Sequence, residues 1–236
     1  MQDPVAILTG VGSGLSASLA RLLKKEGYRL RLSARSTEKL AGLADETGAD
    51  VVAANVADAG DVKAVFSNLD GPLRVAVAHP SARVRGSLDG LEPEDVRQAI
   101  EVTAFGSFLV GQAAARVMLS QEPDEAGVRG TILFTGASAG VKGFPQSAPF
   151  AMGKFAQRGL AQSMARELHP KGIHVAWINI DGGIRNEARP ERVETADNPD
   201  SMLDPDAIAE TYLALIKQHR SAWTEELAVR PWVERF

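Results

Sequence analysis

Short apolar runs alternate with longer amphipathic stretches along the whole chain. That alternation predicts parallel strands, each followed by a helix, in a sheet covered on both faces. Strands are expected at residues 5–8, 29–33, 50–54, 75–78, 131–135 and 174–180, with a last one near 222–229. Helices are expected at about 15–26, from near 37, and at about 60–69, 93–119, 149–168 and 204–218. Gly27 sits where glycine ends a helix. Pro93, Glu94 and Asp95 form a favourable first turn, and Pro170 stops the helix before it. Residues 185–199 are polar and without a clear period. No solenoid repeat or low-complexity segment interrupts the pattern.

Right-handed crossovers make this a doubly wound, Rossmann-type α/β fold, with its ligand crevice at the carboxyl ends of the strands. At 236 residues a single domain, 1–236, is expected, with a substrate lid at about 185–200 inside it. The net charge of -4, with bases interleaved among acids, argues against a nucleic-acid partner. With no cysteine, disulfides and thiolate metal sites are excluded, and no metal site is expected. The absence of cysteine fits a reducing, cytoplasmic setting. No basic N-terminal region runs into a long apolar segment, and no uncharged apolar run nears membrane-spanning length, so neither a signal peptide nor a membrane partner is expected.

The stretch Thr9-Gly10-Val11-Gly12-Ser13-Gly14-Leu15 joins the first strand to the first helix. Glycines allow a sharp turn and close approach to a pyrophosphate, and the helix start favours its negative charge. The spacing is T-G-x-x-x-G-x, which resembles the form used by short-chain dehydrogenases/reductases. The resemblance extends over nearly the whole chain and is most specific at residues 130–184. That region holds Gly130-Thr131-Ile132-Leu133-Phe134, Ala139-Gly140, Gly143-Phe144-Pro145, Lys154, the run from Gly159 through Ser163 to Leu168, and Gly172-Ile173-His174-Val175.

The resemblance implies a nicotinamide cofactor held by Gly10, Gly12, Ser13, Gly14, Leu15, Asn55, Val56, Ala78, Lys154, Gly182 and Ile184. Ser16 replaces the family's third glycine. At the end of the second strand, Ala34 stands where an acid would hold the ribose 2′-hydroxyl of NAD. Arg35 follows, and a guanidinium suits the 2′-phosphate of NADP. NADP is therefore expected ahead of NAD, against the alternative that Arg35 is a solvated loop residue. Asn55-Val56 falls where the family has Asp-Val beside adenine.

The catalytic positions depart from the family. The lysine carries over as Lys154, which in the family holds the nicotinamide ribose and lowers a phenol's pKa. The tyrosine position is Phe150, the serine position Ala137 and the asparagine position Thr103. The Asn-Asn-Ala-Gly motif is Ala78-His79-Pro80-Ser81, and the Pro-Gly pair is Asp181-Gly182. A benzyl ring has no ionisable proton. Losing an acid–base group costs ~10²–10⁴ in rate, and losing an oxyanion donor costs about as much.

Three replacements are open. His79 titrates near neutrality and lies at a strand end, so it is the candidate proton donor, against lining the cofactor channel. Asp181 either orients a substrate or caps the following turn. Ser138 and Ser147 either bind substrate or are plain loop residues. Tyr28 and Tyr212 are not obvious substitutes. Phe150, Ala137, Phe144 and Pro145 would make the site apolar and suit an apolar small molecule. Two functions follow: an NADP(H)-dependent oxidoreductase with a non-standard site, or a non-catalytic cofactor or ligand sensor. By resemblance, the helices flanking the fifth strand would build a homo-dimer or homo-tetramer. Residues 221–236 would cover the sheet edge or a subunit contact.

Overall fold

The computed structural model describes residues 2–233. Its strands are β1 (Val5–Thr9), β2 (Arg29–Ala34), β3 (Asp50–Ala53), β4 (Leu73–Ala78), β5 (Gly130–Thr135), β6 (Ile173–Ile180), β7 (Gly183–Ile184), β8 (Met202–Leu203) and β9 (Glu226–Val229). Seven of them form one parallel sheet in the order β3-β2-β1-β4-β5-β6-β9. The chain reverses its winding direction between β1 and β4, which opens the crevice there. This is the doubly wound Rossmann-type fold that the strand–helix alternation predicts.

The helices are α1 (Leu15–Lys25), α2 (Ala41–Thr47), α3 (Ala59–Val65), α4 (Pro93–Ile100), α5 (Gly106–Ser120), α6 (Ala148–Leu168) and α7 (Pro205–Ile216). Alternate strand side chains feed two cores. Ile7, Ala76, Ile132 and Val175 pack with Val110, Ala114, Ala161 and Ala165 of α5 and α6. Leu8, Val77, Leu133 and Ile178 pack on the other face with Leu19 and Leu23 of α1 and Ile208 and Tyr212 of α7. Both faces are dry, so the strands read as unbroken apolar runs. Each fully buried side chain of this kind contributes roughly 1.5–3 kcal/mol.

Several boundaries differ from expectation. The region expected as one helix over 93–119 is α4 and α5 joined by a π-helical turn, Glu101–Phe105. Residues 93–120 are also long and apolar enough to span a membrane by length and composition, which the sequence reading did not anticipate; half of that apolar window is buried inside the fold. Helix α3 stops at Val65 rather than near 69, because Asn68 takes a left-handed φ of 50°. The last strand begins at Glu226 rather than 222, because Thr224 N–H donates to Gln218 Oε1 (2.8 Å) and ties that stretch to the end of α7. Paired with β6, β9 covers the sheet edge; residues 234–236, the end of the segment considered for that role, lie outside the described residues. The polar stretch after β6 is not featureless. β7 pairs with β8 at its base, and a short turn, Pro190–Arg192, folds back so that Asn186 N–H donates to the Arg192 carbonyl (2.9 Å).

Candidate active site

A cleft of about 930 Å³ opens at the carboxyl ends of the central strands. One wall is the glycine turn, Gly10, Gly12, Ser13, Gly14, Leu15 and Ser16. Gly10 has a φ of 72°, and a Cβ there would stand 3.2 Å from the His79 carbonyl carbon. The turn after β1 and the turn after β4 thus touch only because residue 10 has no side chain. A Cβ on Gly12 would meet nothing within 4 Å, so backbone faces open space there. Ser16, in place of a glycine, accepts from Gly12 N–H (2.9 Å) and donates to the Gly12 carbonyl (3.2 Å), bracing the turn from within. No side chain caps the start of α1 at Gly14. A close, glycine-lined approach to an uncapped helix start suits a pyrophosphate. Asn186 donates to Ser13 Oγ (3.2 Å), joining the segment after β7 to this wall; nothing in the sequence pattern signalled that contact.

The opposite wall is built by α6. Phe150 and Lys154 lie one helical turn apart on one face, both buried and both lining the cleft. Lys154 donates to the Thr135 carbonyl (2.7 Å), the Gln157 side-chain carbonyl (3.3 Å) and the Pro80 carbonyl (3.4 Å). Burial, with the charge of Arg83 as a second cause, pushes its ammonium down to about 7. Gln157 passes the chain on. Its amide donates to Ser107 Oγ (2.9 Å), which donates to the Thr103 carbonyl inside the π turn (2.6 Å). Thr103 itself is buried, and its Oγ1 accepts from Ala82 N–H (2.9 Å). Gln157 and Ser107 were missed in the sequence. The available signal was the three-residue spacing of Lys154 and Gln157 on one helix face.

Ala137, Ser138, Phe144, Pro145 and Ser147 line the same cleft. So do Arg83, Arg85, Arg189 and Arg192, which the sequence reading did not place there. The Arg83 guanidinium stands 4.3 Å from the centroid of the Phe150 ring. The pocket expected from the sequence to be apolar is therefore lined by arginines as well as by Phe144, Pro145 and Phe150.

His79 is a cleft residue, and it is wired to the far side of the sheet. Its Nδ1 shares a hydrogen bond with Thr135 Oγ1 (2.7 Å), which shares another with the Tyr212 hydroxyl (2.7 Å). The His79 and Tyr212 rings stack at 6.3 Å. The two bonds form a chain in which the donor of each is set by the histidine tautomer, and the buried Nε2 of His79 has no hydrogen-bond partner among the described residues. Burial, followed by the charge of Lys154, pushes the imidazole down to about 3. That removes the near-neutral titration on which its candidacy as proton donor rested. Tyr212, passed over in the sequence because it lies on the last helix, is a fully buried member of this network.

Other expected residues lie outside the cleft lining. Arg35 is exposed at the end of β2. The Asn55 side chain accepts from Ala57 N–H (3.2 Å) in a local turn. Val56 packs beneath Gly106 and Ala78 is buried within β4. Asp181 is not part of the cleft lining; its carboxylate pairs with Arg230 (3.3 Å). Gly182 and Ile184 do line the cleft. Among the described residues no cluster of three His, Cys, Asp or Glu could hold a metal ion.

Comparison with known proteins gives one family. Residues 4–195 match the family described as short chain dehydrogenase. The chain is 32% identical over 179 residues to a 3-dehydrosphinganine reductase of Arabidopsis thaliana; the match covers 72% of this chain and 52% of that protein, about half its length. The crystal structure of a short-chain dehydrogenase from Rhodopseudomonas palustris is 31% identical, covers 98% of this chain and 100% of its own, and superposes with a TM-score of 0.81. A metagenomic short-chain oxidoreductase solved in complex with NADP is 25% identical with a TM-score of 0.81, covering 99% of each chain.

Proposed function

Since the chain belongs to the short-chain dehydrogenase family, we propose that it binds NADP(H) in this cleft and acts as an oxidoreductase with a non-standard active site. The observation that carries the reading is one continuous cleft, bounded by the glycine turn on one side and by Lys154 and Phe150 on the other. NADP in a related crystal structure supports the phosphorylated cofactor, as does Arg35, whose exposed guanidinium is available to a 2′-phosphate. Gly10, Gly12, Ser13, Gly14 and Leu15 would hold the pyrophosphate, with Gly182 and Ile184 beside the nicotinamide end. A bound NADPH would supply the reducing equivalent.

The chain's own residues would then orient a carbonyl. Phe150 offers neither a proton nor a hydrogen bond, and Ala137 offers no hydroxyl. Ser138 and Ser147, which line the cleft, remain as donors to a substrate oxygen. Lys154 would hold the nicotinamide ribose after exchanging one of its carbonyl partners for a ribose hydroxyl. With His79 held neutral, the proton would come from water or from the substrate. The segment at about 185–200, tied to the glycine wall by Asn186, would close over the substrate as a lid.

One observation favours a second reading, a non-catalytic cofactor or ligand sensor. The lysine that would assist proton transfer is engaged by three carbonyls, with no phenol beside it. Calorimetry with NADPH and NADH, followed by a carbonyl-reductase screen, decides. Tight NADPH binding with turnover supports the enzyme, and binding without turnover on any carbonyl supports the sensor. No heat with either cofactor would sink both.

A further inference from the structure

The cleft collects positive charge that the chain as a whole does not have. Net charge is -4, yet the titratable residues lining the cleft include Arg83, Arg85, Lys154, Arg189 and Arg192 against a single acid, Glu191. Local charge of one sign in a concave, low-dielectric wall focuses the field on what enters it. Arg83 and Arg85 come from the turn after β4, and Arg192 from the segment after β7, so two distant parts of the chain bring cations to one cleft.

The surroundings of Arg83 and Arg192 leave their guanidinium donors free. Arg83 lies at cation–π distance from the Phe150 ring. An arginine held by its flat face keeps its in-plane N–H groups available, and those are the groups that grip a carboxylate or phosphate in pairs. Arg192 reaches past Gly183, where a Cβ would stand 3.0 Å from its Nη1; glycine at 183 gives that guanidinium its room. Among the described residues, no hydrogen bond or ion pair engages the guanidinium of Arg83, Arg85 or Arg192. Ten other basic side chains do find carboxylate partners: Arg21, Arg29, Arg31, Arg97, Arg158, Arg166, Lys171, Arg185, Lys217 and Arg230. Besides burial, the charges of Arg85 and Arg192 hold the Arg83 pKa below its ordinary value, as expected of like charges without a counter-ion.

We propose that Arg83, Arg85 and Arg192 form an anion-binding subsite in the cleft, taking the carboxylate or phosphate of a substrate whose body lies against Phe150. The inference deepens the proposed function and rests on it for the word substrate. Within the cleft, Arg83 stands against Phe150 and Arg192 against Gly183, whereas the cofactor's pyrophosphate would be held by the glycine turn, a separate part of the same lining. An oxyanion there would relieve the mutual repulsion of the three arginines. It would also fix a small oxo acid or phosphorylated ketone by one end, leaving its carbonyl against α6.

The test is titration of malonate and, separately, inorganic phosphate into the full chain, with and without saturating NADPH, by calorimetry. Saturation with NADPH removes the pyrophosphate site from the measurement. The proposal expects saturable binding of at least one anion that survives NADPH, and the tighter of the two identifies carboxylate or phosphate. Arg83→Met and Arg192→Met, which keep the apolar stems, should each weaken it roughly 10-fold or more, as loss of a charged hydrogen-bonding pair does. Arg116→Met on the distant face of α5 should leave it unchanged. No anion binding in the presence of NADPH, or equal weakening by all three variants, overturns the subsite. Failure of NADPH to bind counts against the function proposed above, and the titration without cofactor then still decides the subsite by the same Arg83 and Arg192 criterion.

Discussion

The Lys154 ammonium donates to the Thr135 carbonyl at 2.7 Å, so the family lysine is anchored to the end of β5. Its burial has a measurable consequence. With a folded pKa near 7, below the ordinary lysine value of 10.5, the unfolded chain binds more protons than the folded one between those pH values. Stability must therefore rise with pH across that window, and the full penalty is present below it. The slope from this group is at most about 1.4 kcal/mol per pH unit. Lys154→Met removes it, so wild type and variant stability, measured by urea denaturation from pH 6 to 10, should converge or cross as pH rises. Parallel curves would mean that Lys154 is charged throughout. The buried His79 acts in the same direction in a separate range, from about 3 to its ordinary 6.5.

A phenol restored at position 150 would lie under the Arg83 guanidinium and one helical turn before Lys154. The Arg83 guanidinium favours phenolate, so the phenol's pKa should fall below that of a phenol buried at the same depth without the cation. Phe150→Tyr combined with Ala137→Ser should raise NADPH-dependent carbonyl reduction by about 10²-fold or more, the size of an acid–base contribution. The new activity should decline at alkaline pH as the phenol ionises. A well-folded double variant that still binds NADPH and gains nothing would show that positions 137 and 150 do not face the reacting carbonyl.

The central strands were legible because they are buried on both faces, which leaves unbroken runs such as Ile173 to Ile180. The glycine turn, Lys154 and Phe150 were legible because they sit in local motifs. What was hidden depends on contacts distant in sequence. Tyr212 meets Thr135 across 77 residues, and Asn186 meets Ser13 across 173. The π turn, Glu101–Phe105, was not separated from its neighbours because it runs without a break between α4 and α5 and its i→i+5 bonding is signalled by no residue type. The cationic wall was hidden for a similar reason. Arg83, Arg85, Arg189 and Arg192 look like scattered surface charge until the β4 turn and the lid segment are brought together.

The network of Tyr212, Thr135 and His79 makes a prediction about order of damage. Tyr212→Phe removes one hydroxyl and leaves Thr135 bonded to His79, so it should cost about 1 kcal/mol. Thr135→Val is nearly isosteric, yet it strands the buried Tyr212 hydroxyl and the His79 Nδ1 together. It should cost more, about 2–4 kcal/mol for two unsatisfied buried groups. The double variant should be less destabilised than the sum, because the second change removes a hydroxyl already stranded. Chemical denaturation of the four proteins reads this directly. An additive cycle would mean that the three side chains act independently.

Gly10 gives the sharpest test of how the cleft is assembled. Its φ of 72° is one that a side chain resists, and a Cβ would approach the His79 carbonyl carbon to 3.2 Å and the Pro80 nitrogen to 3.3 Å. Both neighbours are backbone, so neither swings aside cheaply. Gly10→Ala should therefore cost about 1–2 kcal/mol from the left-handed backbone, with crowding added to it. The strain falls on the turn after β4 that carries His79 and leads to Arg83. Loss of NADPH binding should consequently exceed what lost stability explains, and should persist at a temperature where the variant is fully folded by circular dichroism. Gly12→Ala is the matched control, since its Cβ meets no protein atom within 4 Å. It should leave stability within about 1 kcal/mol of wild type while still weakening the cofactor, because the added methyl enters the space the pyrophosphate would occupy. If Gly12→Ala binds NADPH as well as wild type does, the dinucleotide does not pass over this turn.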